Sequence, residues 1–528
     1  MNALTGTGKL LRAIIRYDWK KTVVWIVLIS ALSASSVLAY DVAFPDIAER
    51  RELSIAMQSN PSMSIIFGPA RDLLTSDGFN AWRAGQLGAL FAAIMATLLV
   101  TRNTRAQEDS GQGELVASGV VTRQARLIAP VLAGLLTATV LGVSCFGLTW
   151  LSGGEVLPSA IISAGYCASA AMFTSVSAVA CQLGSQARIA NTLSLSMMGI
   201  FYVIRGYIDS TSPDNWTLWL TPFGWIEKTA PATDHLIWPF IPCAIFSIVL
   251  LAVALILHTQ RDFGFGFIRP RLGNPAAPKI GILALSWRIH RGSLISWWII
   301  FGIFGFIFGN LSTSITSIFK DNPALAQMMT AGTTSETDLI NTFIYSIFQS
   351  LGIMAAILGA QIATKFYSEE LALRAEPLLA TTLSRGKYLA SNILFVYVGT
   401  GIAMAISGIT FGLIIHKNND LISILHVCEQ ALVTTSAVWV LNAIAVAAVA
   451  IWPRVRSLSW LSIVVAFAIS ILGPSFKLPN KVLGVSPFYH VTSLSTVAPQ
   501  WEGTFVLLAI VMALTLLSFI GYRRRAII

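Results

Sequence analysis

Long apolar runs, each bounded by charged or turn-forming residues, recur along this chain. They predict helices at 22–40, 84–101, 127–151, 160–182, 189–208 and 238–258, then at 294–312, 343–364, 389–415, 427–452, 457–473 and 503–521. At 1.5 Å rise per residue, about 20 such positions cross a hydrocarbon core of about 30 Å. The pattern therefore predicts an all-α membrane protein with about 12 transmembrane helices.

Composition agrees. Of 528 residues, 55% are hydrophobic and 11% charged, against about 25% charged in soluble proteins. The formal net charge of +10 does not point to nucleic acid, because the Lys and Arg residues sit at the ends of apolar runs rather than on one soluble face. With the N-terminus inside, the cytoplasmic segments hold 25 of the 35 Lys and Arg residues but 8 of the 25 Asp and Glu residues. Short basic loops orient membrane helices in this way, so both termini are expected to be cytoplasmic. The start of the chain resembles a secretory signal, with basic residues from Lys9 to Lys21 before an apolar run. Removing that run would put one end of the chain outside, against the basic Arg523, Arg524 and Arg525, so a retained helix is expected. The five cysteines lie in apolar runs without CxxC spacing, and the six histidines form no ligand cluster.

The chain carries an internal repeat. Arg16 and Trp25 recur as Arg288 and Trp297, while Glu108, Glu114 and Thr122-Arg123 recur at an offset of 262 as Glu370, Glu376 and Ser384-Arg385. TPF at 221–223 matches SPF at 486–488. The expected organisation is a first transmembrane half, 1–262, a cytoplasmic linker, 263–280, and a second half, 281–528. Six helices bring each half back to its starting side, so the repeats are parallel and imply a pathway between them.

Two loops, 102–126 and 365–388, have charged, helical character, including an i,i+4 pair from Glu370 to Arg374. Glu108, Glu114, Arg123, Glu370, Glu376 and Arg385 are the candidates for presenting short helices to a soluble partner; a solvated loop whose charges only set topology is the alternative. Segments 9–21 and 282–293 mix Leu, Ile and Trp with basic residues, which suits interfacial helices on anionic lipid or simple stop-transfer flanks.

No driving force is visible in the spans, where Asp, Glu and His are nearly absent. TGTGKLL at 5–11 lacks the first glycine and the Ser or Thr of a P-loop. A pathway without its own engine, together with two docking loops, points to ATP hydrolysis in separate soluble subunits, with no cofactor in this chain and ATP and Mg on the partner.

The doubled six-helix module, EPLLATTLSR at 376–385, QRDFGFGFIRPRLG at 260–273 and GYRRRAI at 521–527 resemble permeases of ABC exporters of polyketide antibiotics and drugs. The resemblance implies a type-two ABC exporter fold, duplicated in one chain, with a dimer of ATPase subunits docked beneath loops 102–126 and 365–388 as coupling helices. It further implies outer caps at 209–237 and 474–502 and a lumen lined by the second and fifth helices of each half. The first-half loop departs from the pattern, reading ELVASGVVTR at 114–123.

Few polar residues enter the spans. Arg205 falls about 24 Å along its helix in a core of about 30 Å, so it reads as a snorkelling anchor or as a lumen residue. Asn191, Tyr345 and Gln349 read as interhelical hydrogen-bond formers or as part of a substrate path, and Gly305/Gly309 and Gly408/Gly412 as close-packing GxxxG pairs. The outer run from Asp46 to Glu52 reads as a solvated helix with ion pairs. The expected function is multidrug efflux of hydrophobic or amphipathic small molecules from a multi-pass position in the plasma or inner membrane, with no chemistry on the substrate. An ion-coupled carrier, or a membrane enzyme acting on lipid-linked substrate at the outer face, is the alternative.

Overall fold

A computed structural model of the chain describes residues 4–58, 61–211, 215–268, 281–321, 336–418, 422–472, 479–494 and 499–526. Most of the expected linker, and parts of the expected outer caps, lie outside these residues. The chain divides into two units, Met1–Gly273 and Asn274–Ile528.

Unit 1 contains α1 (Thr7–Ala43), α2 (Ile47–Gln58), α3 (Pro61–Phe67), α4 (Ser76–Arg102), α5 (Arg105–Asp109), α6 (Gln112–Ala117), α7 (Ala125–Leu151), α8 (Val156–Leu183), α9 (Ala187–Thr211), α10 (Pro222–Glu227) and α11 (Phe240–Gln260). Unit 2 contains α12 (Ile282–Asp321), α13 (Glu336–Leu371), α14 (Ala375–Leu379), α15 (Arg385–Asn418), α16 (Ile424–Ile451), α17 (Leu458–Phe467), α18 (Asn480–Leu483) and α19 (Glu502–Arg524). Among the described residues there is no strand, and eleven helices are long and apolar enough to cross a membrane. The run expected at 457–473 is the exception. Its α17 gives way to a π-helical turn, Ala468–Leu472, and position 473 lies outside the described residues.

In unit 1 the second and fourth spans, α4 and α8, are central, with 67% and 61% of their most apolar stretches buried. Small residues let them approach, and polar side chains of α8 bond backbone carbonyls of α4. Tyr166 donates to the Ala84 carbonyl at 2.8 Å, Ser169 to Ala89 at 2.7 Å and Ser177 to Thr97 at 3.3 Å. Gly88 is required there, because a Cβ would stand 2.2 Å from the Tyr166 ring. Such bonds hold apolar helices together where lipid offers no hydrophobic gain.

Unit 2 uses its glycines likewise. Gly305 and Gly309 of α12 face α15, where their Cβ positions would meet the Ser407 carbonyl at 2.6 Å and Ile414 Cβ at 2.7 Å. Gly408 and Gly412 face α16, with Ala431 and Ile424 as neighbours. The Trp298 indole donates to the Gly399 carbonyl at 2.9 Å.

The segments 9–21 and 282–293, read from sequence as separate helices, are continuous with the following spans in α1 and α12. Neither contains a proline to break the helical hydrogen-bond ladder. In the outer run, Arg50 pairs with Asp41 at 2.8 Å and lies over the Tyr40 ring.

Gly305→Val is expected to destabilise unit 2 by about 1–3 kcal/mol, the usual range for overpacking, because the Ser407 carbonyl cannot move aside. Gly302→Ala, whose nearest neighbour would be 3.5 Å away, is expected to be neutral. The apparent unfolding temperature of the detergent-purified protein, which should fall only for the first, checks this.

Candidate functional site

The repeated loop charges form two clusters, one in each unit. In unit 1 the polar end of α4 continues into α5, which carries Glu108. Its carboxylate accepts from Arg105 at 2.7 Å and from both terminal nitrogens of Arg261 at 2.5 and 2.9 Å. Arg261 follows directly after α11. Its Nε donates to Gln182 at the end of α8, 2.7 Å away, and its Nη1 to the Phe265 carbonyl at 2.8 Å. Arg105, fully buried, also donates to the Cys181 carbonyl at 2.8 and 3.1 Å. Arg123 donates to the Arg261 carbonyl, and the ring of His258 bridges the Gln182 side chain and the Arg123 carbonyl. One glutamate thus ties the loop-side ends of the second, fourth and sixth spans.

Unit 2 repeats this device with fewer parts. Glu370, at the end of α13, accepts from Tyr522 at 2.8 Å and from Arg525. Arg525 follows α19 and donates to the Val449 carbonyl of α16 at 2.7 Å. Arg385 donates to the Arg525 carbonyl at 2.8 Å. Arg374 pairs with Glu369 at 3.1 Å rather than with Glu370. The helix has ended at Leu371 and the chain turns through Leu373 at φ +57°, so the expected i,i+4 geometry is absent.

These clamps position two short helices alike. Gly111 and Leu373, 262 residues apart, both have positive φ. Two residues later Gly113 and Ala375 are buried, seating α6 and α14, and the next residues, Glu114 and Glu376, are exposed. Of the six loop residues singled out in the sequence, Glu108 and Glu370 are internal anchors, Arg123 and Arg385 are exposed side chains that bind backbone carbonyls, and Glu114 and Glu376 face outward. Sequence reasoning missed Arg105, Arg261 and Arg525. The signal was an arginine just after the last span of each half, at an offset of 264 rather than 262.

The polar residues of the spans have different surroundings. Arg205 is fully buried; it donates to Asp209 at 3.0 Å and to the Ile66 carbonyl at 3.2 Å, and covers the Tyr202 ring at 4.5 Å. Ile66 lies at the C-terminal end of α3, where helical carbonyls favour a cation. Glu227 stands 4.0 Å from Arg205 and 3.8 Å from Arg71. Burial first, and the adjacent Asp209 carboxylate second, push the Glu227 carboxyl well above the ordinary carboxylate range, against the pull of Arg205 and Arg71. Asp209 and the Glu227 carboxyl are buried in the protein, and neither was singled out in the sequence.

Gln349 donates to the Phe488 carbonyl at 3.4 Å, and Tyr345 donates to the Phe488 and Val491 carbonyls at 3.3 Å. Gln86 does the same to Phe223 at 3.4 Å. The repeated TPF and SPF turns therefore present equivalent carbonyls to equivalent glutamines. Asn191 is half-buried, and its side-chain oxygen has no hydrogen-bond partner among the described residues.

Arg261→Met leaves Glu108 with Arg105 alone and is expected to cost about 3–5 kcal/mol, and adding Glu108→Leu is expected to deepen the loss, because it leaves the buried Arg105 guanidinium without a carboxylate. Apparent unfolding temperatures of single and double variants test this; equal losses would refute it. At the two corners, Gly111→Val is expected to cost about 1–2 kcal/mol, and Leu373→Gly to stay within about 0.5 kcal/mol of the parent, the strain removed offsetting glycine's entropy.

The family model described as "Multidrug efflux system permease Rv1217c, C-terminal domain" matches residues 24–258 and 281–523, one stretch in each unit. The multidrug efflux system permease protein Rv1217c of Mycobacterium tuberculosis (strain ATCC 25618 / H37Rv) is 31% identical over 540 residues, covering 99% of this chain and 96% of the relative. With its membrane helices and near full-length match, the chain belongs to this family of multidrug efflux system permeases.

Proposed function

We propose that the chain is the transmembrane permease of an ATP-driven exporter of hydrophobic and amphipathic compounds, antibiotics and drugs among them. It works by alternating access between its two halves, in a type-two ABC exporter arrangement. ATP is bound and hydrolysed with Mg on a separate dimer of soluble ABC ATPase subunits, docked on the cytoplasmic side, where both termini lie. The chain itself performs no covalent chemistry and sits in the plasma or inner membrane.

One observation carries this reading. Each half holds a short helix, α6 or α14, on a buried glutamate–arginine clamp and turns one glutamate of that helix, Glu114 or Glu376, outward. A clamp joining three spans suits a part that must pass force without yielding. The relative's name, a permease protein of a multidrug efflux system, supports a permease working within a system.

A second reading, an ion-coupled carrier, is favoured by the buried group of Arg205, Asp209 and Glu227 beside a cavity of about 70 Å³. Such groups inside a membrane protein commonly mark ion pathways.

Purification of the chain from its native membrane is expected to bring an ATPase with it. Glu114→Ala combined with Glu376→Ala is expected to lower both the retained ATPase and the ATP-driven export at least tenfold while leaving the unfolding temperature unchanged. Unaltered association and export in that variant would remove the docking assignment. Uphill transport by the chain alone in liposomes with an imposed proton gradient would favour the carrier.

A further inference from the structure

A second cavity, of about 540 Å³, opens beside the loop cluster of unit 1. It lies where the first turns of α1 meet the loop-side ends of α4, α7 and α11. One wall is apolar, formed by Leu10, Ile14, Leu127 and Pro130. The lining also carries four cationic side chains, Lys21, Arg102, Arg126 and Arg261, and two anionic ones, Asp18 and Glu108.

The charges do not balance. Asp18 is occupied by Arg102 at 2.9 Å and Asn103 at 2.6 Å, with the exposed Lys21 ammonium 3.8 Å away. Glu108 is held by Arg105 and Arg261. Arg126 forms no ion pair among the described residues. Its guanidinium lies over the Phe263 ring at 4.9 Å, and its buried Nε and Nη1 have no hydrogen-bond partner. Arg126 is half-buried beside the cavity, and a guanidinium's planar fork matches a phosphate.

We propose that this cavity binds the phosphate group of an anionic amphiphile. The phosphate sits between Arg126 and Lys21, and the hydrocarbon runs along Leu10, Ile14, Leu127 and Pro130. Phosphate bound to arginine is the chemistry common to a lipid headgroup and a free phosphate ester; the apolar wall selects the lipid. The start of α1 supports a membrane source, since Ile15, Tyr17 and Trp19 are exposed beside the basic Arg16, Lys20 and Lys21, the composition of a helix at the headgroup level. The duplicate lacks the site. At the offset of 262, Arg126 becomes Tyr388, which is buried against Phe366. Among the described residues one such site is present, in the first half. The proposal rests on neither the ATPase partner nor the direction of transport.

The test uses the detergent-purified full chain, delipidated and then titrated with short-chain phosphatidylglycerol, short-chain phosphatidylcholine or inorganic phosphate. Retained lipid is counted by native mass spectrometry. Phosphatidylglycerol is expected to bind at one equivalent, at least tenfold more tightly than phosphatidylcholine. Arg126→Gln is expected to weaken it at least tenfold, Arg126→Lys by less, and Lys21→Gln about threefold. If Arg126→Gln does not fold, Lys21→Gln, at an exposed position, decides. Unchanged phosphatidylglycerol affinity in the variants overturns the site, and inorganic phosphate competing at equal concentration overturns the lipid as its source.

Discussion

A carboxylate taken out of water near the membrane boundary is stable only where several donors converge on it. Each half of this chain folds around one such group. Glu108 gathers Arg105 and Arg261, and Glu370 gathers Tyr522 and Arg525. Because the arginine comes from just beyond the sixth span and also reaches a side chain or carbonyl at the end of the fourth, a single pairing fixes three helix ends. The short helices α6 and α14 inherit their position from that closure. They have five or six residues, too few to persist alone in water.

The transmembrane pattern was legible because a bilayer imposes a length and a composition on every crossing element, and eleven of the expected runs are helices of that kind. Along the run at 457–473 the helical ladder slips into π pairing after Phe467, which a hydropathy reading cannot see. The loop glutamates were legible through repetition. Their partners were not, because Arg261 and Arg525 stand 153 and 155 residues away from them and register differently by two. Asp209 and Glu227 were not singled out in the sequence for a related reason. A charge beyond an apolar run looks solvated until the fold covers it, here with α3 and α10.

Similar logic separates the polar span residues. Gln349 and Tyr345 hold the SPF turn through its carbonyls, as Gln86 holds the TPF turn, so their presence in apolar helices follows from irregular backbone that must be satisfied where water is scarce. Arg205 meets the same requirement for the end of α3 and adds two carboxyl groups to the exchange. Its helix position alone suggested an escape toward the interface. Its neighbours remove the need for one.

The two halves thus share a clamp and differ around it. Unit 1 surrounds Glu108 with Arg105, His258 and Gln182 and leaves Arg126 beside an open cavity; unit 2 surrounds Glu370 with aromatic rings, Tyr522 and Phe366 packed together and Tyr388 against Phe366. Aromatic rings fill the space around Glu370, whereas the charged cluster around Glu108 leaves a cavity of about 540 Å³ beside it. Duplication repeats the clamp, and at one pair of equivalent positions an arginine beside a cavity in unit 1 stands where unit 2 has a buried tyrosine.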